Sequence, residues 1–516
     1  MATDVQIIGT WMLISIYAAL VLYFVFKGAL SIKSMSDYAV GSVNFSPIAV
    51  GLSLAASITS AATFVINPGL IAVYGISGVL SFGVFFPLAS MVSLVILSKA
   101  FRKYGQKVNA LTLAQWIGVR YKSKTYALMM AFLSILLLTF IVLILVAITK
   151  VLSKSLNIDE LYILLGLVLF VFGYMMFGGA NSMVYTNTIQ AVIMIAVAFI
   201  LLGSGYEHFK GGIDSFLSKL SQIDPSLSQS PNPDSLLFRD YYEIIFAQII
   251  VGIAVVCQPH IITKSLLLKK EKDVNKFLTT AVLTQALFYS VILVGLYARI
   301  TFPDLSPNGV ALKTDGIIPS YVLAVFSDGL LSVIIGLIVV LGLISAGMST
   351  LEGLIQSVSS SITNDIIEVL FKKKIDQDKT LIQINRIVIA IIAIAAFIMT
   401  YDQILHPKLS VAILAQNGVY AYFSVAFFPI LYGIFSKNAQ LRPAVMASIT
   451  AFVVHYSIYY LLPYLVNSYQ MNFGWFTKYL QGEIRNPAIA SSTAILLSLL
   501  VGVTAIYFQK TQTVQK

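Results

Sequence analysis

The stretch GLSLAASITSAATFVINPGLIAVYG, Gly51 to Gly75, is long and apolar enough to cross a bilayer. Yet Ser53, Ser57, Thr59, Ser60 and Thr63 crowd its middle and Asn67-Pro68-Gly69 follow. A helix in hydrocarbon must satisfy its own backbone, so breakers and clustered hydroxyls are tolerated only where protein or a water-filled site replaces the lost bonds. Discontinuous helices of this kind bind ions and solutes through freed carbonyls and half-helix ends near the bilayer midplane. The plainer alternative is that small polar residues let neighbouring helices approach closely.

The rest of the chain sets this stretch in lipid. Of 516 residues, 58% are hydrophobic and 11% charged, where a soluble globule carries about a quarter charged residues. A soluble enzyme is thereby excluded. The net charge of +11 fits basic loops between apolar runs better than a nucleic-acid footprint. A single cysteine, Cys257, excludes a disulfide framework and a cysteine-based zinc site.

Thirteen apolar windows read as membrane spans: Ile7 to Gly28, Ser46 to Gly75, Gly78 to Lys99, Tyr126 to Val151, Leu161 to Gly178, Met183 to Gly205, Tyr242 to Thr263, Phe277 to Ile300, Leu330 to Ile362, Ile384 to Thr400, Ser410 to Ser436, Pro443 to Leu465 and Pro487 to Phe508. The first has no basic residue before it and reads as a retained span with the N-terminus outside. That orientation puts 23 of the Lys and Arg residues on the cytoplasmic side and 10 on the other, as the positive-inside rule requires for an odd span count with the C-terminus inside. Basic loops such as Lys372-Lys373-Lys374 are topogenic on this reading. The segment Phe101 to Lys124 contains a short interfacial helix with Leu111, Leu113, Trp116, Ile117 and Val119 on one side. The long external connection Tyr206 to Tyr241 has an amphipathic stretch at Ile213 to Leu220, and no connection is large enough for a soluble domain.

Two further spans are irregular. The seventh ends in Gln258-Pro259-His260, and the ninth carries Ser345-Ala346-Gly347-Met348-Ser349-Thr350-Leu351-Glu352 in mid-span. Hydroxyls and carbonyls give a hard cation such as Na⁺ its oxygen ligands without formal charge, although a hydroxyl taken singly more often bonds back to its own helix. Glu352, in the membrane interior, is a functional candidate by default, with a structural hydrogen bond as the alternative. His260 reads as a helix-linking hydrogen-bonder before a proton carrier. Tyr420 and Tyr422, beside Asn417 and Gly418 in the eleventh span, are aromatic pocket candidates, with Phe64, Asn67, Phe246 and Gln248 able to face them and Ser60, Thr63 and Gln258 at the breaks.

DYAVG (Asp37 to Gly41), ASITS (Ala56 to Ser60), FGGANSMVYTNTIQ (Phe177 to Gln190), CQPHI (Cys257 to Ile261) and GMSTLEG (Gly347 to Gly353) together resemble the sodium:solute symporter family, which includes sodium-coupled proline, pantothenate, sugar and monocarboxylate carriers. The resemblance implies an all-α polytopic membrane protein of the leucine-transporter type. Within a single transporter domain, 1–516, residues 7–28 would be an extra N-terminal helix, 46–205 and 242–436 two inverted five-helix repeats, and 443–516 two further helices with a short tail. It implies a sodium site made by backbone carbonyls of Ala56, Thr59 and Ala346 and hydroxyls of Ser349 and Thr350, with no cofactor besides Na⁺ as coupling ion. The two hydroxyl clusters are those picked out above from their placement alone.

Departures from the pattern matter. Many members read Thr-Asp where this chain has Thr186-Asn187, so Asn187 and Glu352 mark the ion path and the sodium would be held by dipoles. Ile58 replaces an Asp of the proline carriers, and Ala62, Val251 and Val255 stand where those carriers have pocket aromatics, which disfavours proline and favours a bulkier or differently shaped solute. The leading expectation is therefore sodium-coupled symport of a small organic solute (amino acid, carboxylate, vitamin or sugar) across the cytoplasmic membrane by a monomer or weak homo-oligomer, with no enzymatic activity. Proton-coupled or weakly sodium-coupled transport, a membrane solute sensor and an ion-translocating subunit are the competing readings. The last lacks the line of intramembrane Lys and Glu it would need.

Overall fold

The computed structural model describes residues 3–107, 110–268, 270–371, 378–406 and 411–514; the Lys372-Lys373-Lys374 run lies outside them. The described residues contain helices and connections, and no strand. Among the described residues, ten helices are long and apolar enough to cross a membrane, or up to twelve with each of two bent pairs taken as one span. In chain order we label α1 (Asp4–Ala29), α2 (Pro47–Ile58), α3 (Ala62–Tyr74), α4 (Ile76–Gly105), α5 (Leu113–Arg120), α6 (Lys124–Leu156), α7 (Glu160–Met175), α8 (Ala180–Gly203), α9 (Gly212–Ile223), α10 (Tyr242–Val255), α11 (Pro259–Leu267), α12 (Glu271–Thr301), α13 (Thr314–Val325), α14 (Leu330–Phe371), α15 (Asp378–Leu405), α16 (Val411–Phe435), α17 (Leu441–Tyr469) and α18 (Pro487–Gln509). The bent pairs are α2 with α3, at 55°, and α10 with α11, at 58°. The span expected at Leu161 to Gly178 is α7, only 16 residues long, and α13 was not expected.

Burial follows helical geometry. On α15, Ile387, Ile391, Ile394 and Ile398 recur every three or four residues and are all exposed, whereas Asn385, Val388, Ile389, Ile392 and Ala396 face inward. An apolar stripe pointing outward and a polar atom pointing inward invert a soluble helix, as a lipid solvent demands. Three helices pack around α2: α8, α12 and α14, with α11 reaching the same centre. The helices α16, α17 and α18 pack on one another, and α16 also packs on α6.

The short α5 docks on the protein. Trp116 is fully buried and stacks on Phe101 at 4.8 Å, and Leu113 and Ile117 are buried with it, but Val119 is exposed and does not share that face. On α9, Phe216 and Leu220 are buried and Ile213 is exposed, and Phe216 packs against Phe209 and against Tyr297 of α12.

Candidate functional site

The break between α2 and α3 has a local cause. Ser46 caps α2 by accepting from the Ala49 N–H at 3.1 Å, with Pro47 in the first turn where its missing N–H is not needed. At Thr59 the backbone leaves the helix (φ −92°, ψ 91°), and the Ser60 hydroxyl accepts from the Ala62 N–H at 3.1 Å to start the next segment. Asn67-Pro68-Gly69 does not break the span, contrary to its breaker composition. It lies in the first turn of regular helix, and its glycine serves packing: a Cβ on Gly69 would sit 2.0 Å from the Thr314 carbonyl oxygen at the start of α13. The second break forms at Gln258, extended (φ −67°, ψ 137°) just before Pro259 opens α11. The Gln258 amide donates to the Val255 carbonyl at 3.1 Å, leaving its own oxygen without a partner.

Beside the first break, α14 crosses α2. Ser349 Oγ donates toward the Ala56 carbonyl at 2.9 Å and the Ala346 carbonyl at 3.1 Å, and Thr350 Oγ1 donates to the Ser57 carbonyl at 3.0 Å. Four of the five residues expected to hold sodium are thus joined across two helices. The fifth, Thr59, ends α2, and its buried hydroxyl has no hydrogen-bond partner. Neutral oxygens from carbonyls and hydroxyls are the ligand chemistry a monovalent hard cation requires.

On the other face of α14 the Glu352 carboxylate is fully buried. It accepts from Tyr174 OH at 2.6 Å, Thr186 Oγ1 at 2.5 Å and Gln190 Nε2 at 3.3 Å; Gln190 also donates to Tyr17 OH at 2.7 Å. Charge-assisted bonds of this number are what a carboxylate removed from water needs. Asn187 stands between Glu352 and a second buried charge, Lys264. Turned so that its oxygen meets donors, the Asn187 amide accepts from Lys264 Nζ at 3.0 Å and Ser57 Oγ at 2.9 Å. It then donates to Glu352 Oε2 at 3.1 Å and Gln190 Oε1 at 2.9 Å. The opposite orientation would set nitrogen against ammonium and oxygen against carboxylate. Lys264 Nζ also donates to the Ser53 carbonyl and Ser53 Oγ, each at 2.9 Å, and to Ser57 Oγ. On sequence Lys264 falls one residue past the seventh span and counts as a loop charge. The fold carries it inward because α11 turns back after the break; its place one helical turn beyond His260 was the available signal.

The polar residues at the two breaks line a central cavity of about 90 Å³ together with Phe86, Phe140, Tyr289, His260 and Gln416. Of the expected solute contacts, Ser60, Thr63, Asn67, Gln258 and Tyr420 line it. Several others lie outside its lining. Phe64 is buried edge-on against Phe288 at 5.6 Å, and Phe246 is 42% exposed, stacked on Tyr242. Asn417 turns away, its Oδ1 accepting from His455 Nε2 at 2.9 Å and its Nδ2 donating to Tyr460 OH at 2.8 Å; Tyr422 lines a separate small cavity with Thr112 and Ser361. Gln248 is buried outside the lining, with its oxygen unpartnered. Sequence alone had no signal for Phe86, Phe140 and Tyr289, whose rings line the same cavity as Ala62 and Val255.

Residues 38–451 match the model of the sodium:solute symporter family. The chain belongs to the sodium:solute symporter family. As such it is a multi-span membrane transporter that couples sodium to the symport of small solutes, and not an enzyme. The symporter is 27% identical over 339 residues to the sodium/pantothenate symporter of Haemophilus influenzae, covering 64% of this chain and 66% of that one, just under two thirds of the relative. It is 23% identical to the sodium/pantothenate symporter of Escherichia coli (82% and 84% covered) and 21% identical to the monocarboxylic acid transporter of Corynebacterium glutamicum (84% and 80%). In fold, the symporter is similar to a Na⁺-coupled sialic acid symporter in a substrate-bound outward-open state, with a TM-score of 0.73 at 18% identity over 95% of this chain and 96% of that one.

Proposed function

We propose that this symporter carries a small amino acid or monocarboxylate inward across the cytoplasmic membrane, with Na⁺ held by the carbonyls of Ala56, Thr59 and Ala346 and the hydroxyls of Ser349 and Thr350. The observation that carries the reading is the shared break: Ser60 lines the solute cavity while Ala56, four residues earlier, accepts from Ser349 in the ion cluster. An ion that fixes the end of α2 also fixes one wall of the cavity, so each ligand raises the affinity of the other.

The size and lining of the cavity favour the smaller members of the solute class. On a scale where one water needs about 10–15 Å³, the space suits a solute of a few heavy atoms, so the bulkier solute expected from the lost pocket aromatics is not favoured. The lining offers hydroxyls, amides and aromatic rings, with His260 as the one titratable group besides two tyrosines. A carboxylate bound there would be neutralised by the co-transported cation. The relatives named for pantothenate and monocarboxylic acids also act on carboxylates, in keeping with this class.

The paired bends support two inverted five-helix repeats, 46–205 and 242–436, because each unit would open on a broken span, α2–α3 in one and α10–α11 in the other. With the basic residues sorted 23 to 10, the N-terminus is outside and Lys264 lies on the cytoplasmic side of the ion cluster. Uptake of amino acids and short monocarboxylates into proteoliposomes under Na⁺, K⁺ or H⁺ gradients tests the reading. Accumulation driven by Na⁺ is expected, and a transported solute indifferent to Na⁺ would overturn it.

A further inference from the structure

The ammonium of Lys264 is deeper in the protein than a loop lysine has reason to be. Its side chain is 2% exposed, and no carboxylate lies within ion-pair distance of it among the described residues. Its immediate neighbours are oxygens without formal charge: Ser53 O, Ser53 Oγ, Ser57 Oγ and, in the orientation argued above, Asn187 Oδ1. These are four oxygens around an ammonium that has three hydrogens to give. A cage of neutral carbonyl, hydroxyl and amide oxygens around one positive centre is also how proteins hold a bare alkali ion.

The charges facing this cage can be named element by element. Glu352, on α14, is reached through Asn187 and is the one carboxylate acting on Lys264. His260 is on its own helix, Tyr174 and Tyr17 face the far side of Glu352 from α7 and α1, and α2 and α8 contribute only Ser53, Ser57, Thr186, Asn187 and Gln190. With Lys264 in place this cluster of α2, α8, α11 and α14 carries one negative and one positive group. Without it, the carboxylate would stand alone in a low-dielectric interior and attract a cation strongly.

We propose that Lys264 is a tethered cation, seated in a second cation site formed by Ser53, Ser57 and Asn187, one helical turn from the Ala56–Ser349 cluster, where it takes the place of a second transported metal ion. The site belongs to α2, α8 and α11, and the cation is carried by the chain and cannot be transported. The native protein therefore binds one Na⁺, at the first cluster. The inference rests on the sodium-site reading above, and its test separates the two.

The decisive measurement is equilibrium binding of ²²Na⁺ to purified protein, with thermal stability recorded at rising NaCl against choline chloride. The native chain is expected to bind one Na⁺, Lys264→Ala two, and Lys264→Ala with Glu352→Gln one again, because the charge that drew the second ion has gone. Lys264→Ala should also lose thermal stability in choline and regain it in NaCl, as ligand linkage requires; a lysine that merely tied α11 to α2 would be replaced by no ion. Where Lys264→Ala does not yield monodisperse protein, Lys264→Ser, which leaves the cage one more oxygen, is measured in its place. Glu352→Gln alone, with the cage intact, should weaken Na⁺ binding about tenfold or more, since the ammonium then repels an unneutralised ion. A single Na⁺ in both lysine variants, with no more stabilisation by NaCl than the native chain shows, overturns the tethered cation and leaves the first site standing. Absence of Na⁺ binding to the native chain would overturn both.

Discussion

Ser349 Oγ on α14 lies 2.9 Å from the carbonyl oxygen of Ala56 on α2, a contact between residues 293 apart in sequence. The hydroxyl donates to a carbonyl that the end of α2 leaves free, and both atoms have lone pairs that a cation can take. Replacing Ser349 and Thr350 together with Ala should raise the Na⁺ half-saturation for uptake at least about tenfold, because two of five ligands are lost, each a charge-assisted contact of roughly 1.5–3 kcal/mol. The solute half-saturation at saturating Na⁺ should move much less. Initial uptake rates across a NaCl series check this, and an unchanged Na⁺ half-saturation would remove these hydroxyls from the site.

Tyr174 supplies the shorter of two hydrogen bonds to Glu352 Oε1, at 2.6 Å. Tyr174→Phe leaves the ring packed and removes one donor from a buried carboxylate, so stability should fall by about 1.5–3 kcal/mol. The readout is the midpoint of thermal unfolding in detergent, with Tyr162→Phe, whose side chain is exposed, as the comparison.

A different prediction concerns Gly69. A methyl group there would meet the Thr314 carbonyl oxygen at 2.0 Å, and one on Gly295 would meet the Pro68 carbonyl oxygen at 2.1 Å, so α3 is held between two backbones. Gly69→Ala should cost about 1–3 kcal/mol through overpacking, seen as a lower unfolding temperature or loss of folded protein. A wild-type midpoint would show that α13 can move aside without cost.

Gln258 and Asn417 were equivalent on sequence and are not equivalent in the fold. Gln258→Ala removes a lining amide and should raise the solute half-saturation several-fold. Asn417→Ala should leave that constant unchanged and lower stability, because it strands His455 and Tyr460. Concentration series for uptake by the two variants distinguish these outcomes.

Just before α10, Lys478 and Tyr479 contact the Asp240 carboxylate, Tyr479 OH at 2.6 Å, and the Glu243 N–H donates to it at 3.0 Å. Partial burial pushes this carboxyl up, but the three donors outweigh it and hold it below the usual range. A depressed carboxylate stabilises the fold above its unfolded value of about pH 4, and that contribution is lost as pH falls below it. Asp240→Asn should therefore lower stability at pH 7, flatten its loss at acid pH and converge with the native chain at low pH, as unfolding midpoints across a pH series would show.

Sequence alone determined the solvent and most of the spans, because apolar runs about 20 residues long have one stable use. It also located the two polar clusters, since hydroxyls at mid-membrane must meet partners inside the protein. It misread Asn67-Pro68-Gly69 because a breaker's composition does not say whether its glycine serves a bend or a neighbour's backbone. The aromatic lining was invisible for a related reason: Phe86, Phe140 and Tyr289 come from helices whose rotation is set by packing, not by their own periodicity. Lys264 is the clearest case. As a residue it is a basic charge at the end of an apolar run, and only the 58° bend between α10 and α11 carries its ammonium back among the oxygens of α2. Which charges meet in the interior was decided by how the helices are bent and packed, because a charge is stabilised there by partners the chain brings from hundreds of residues away.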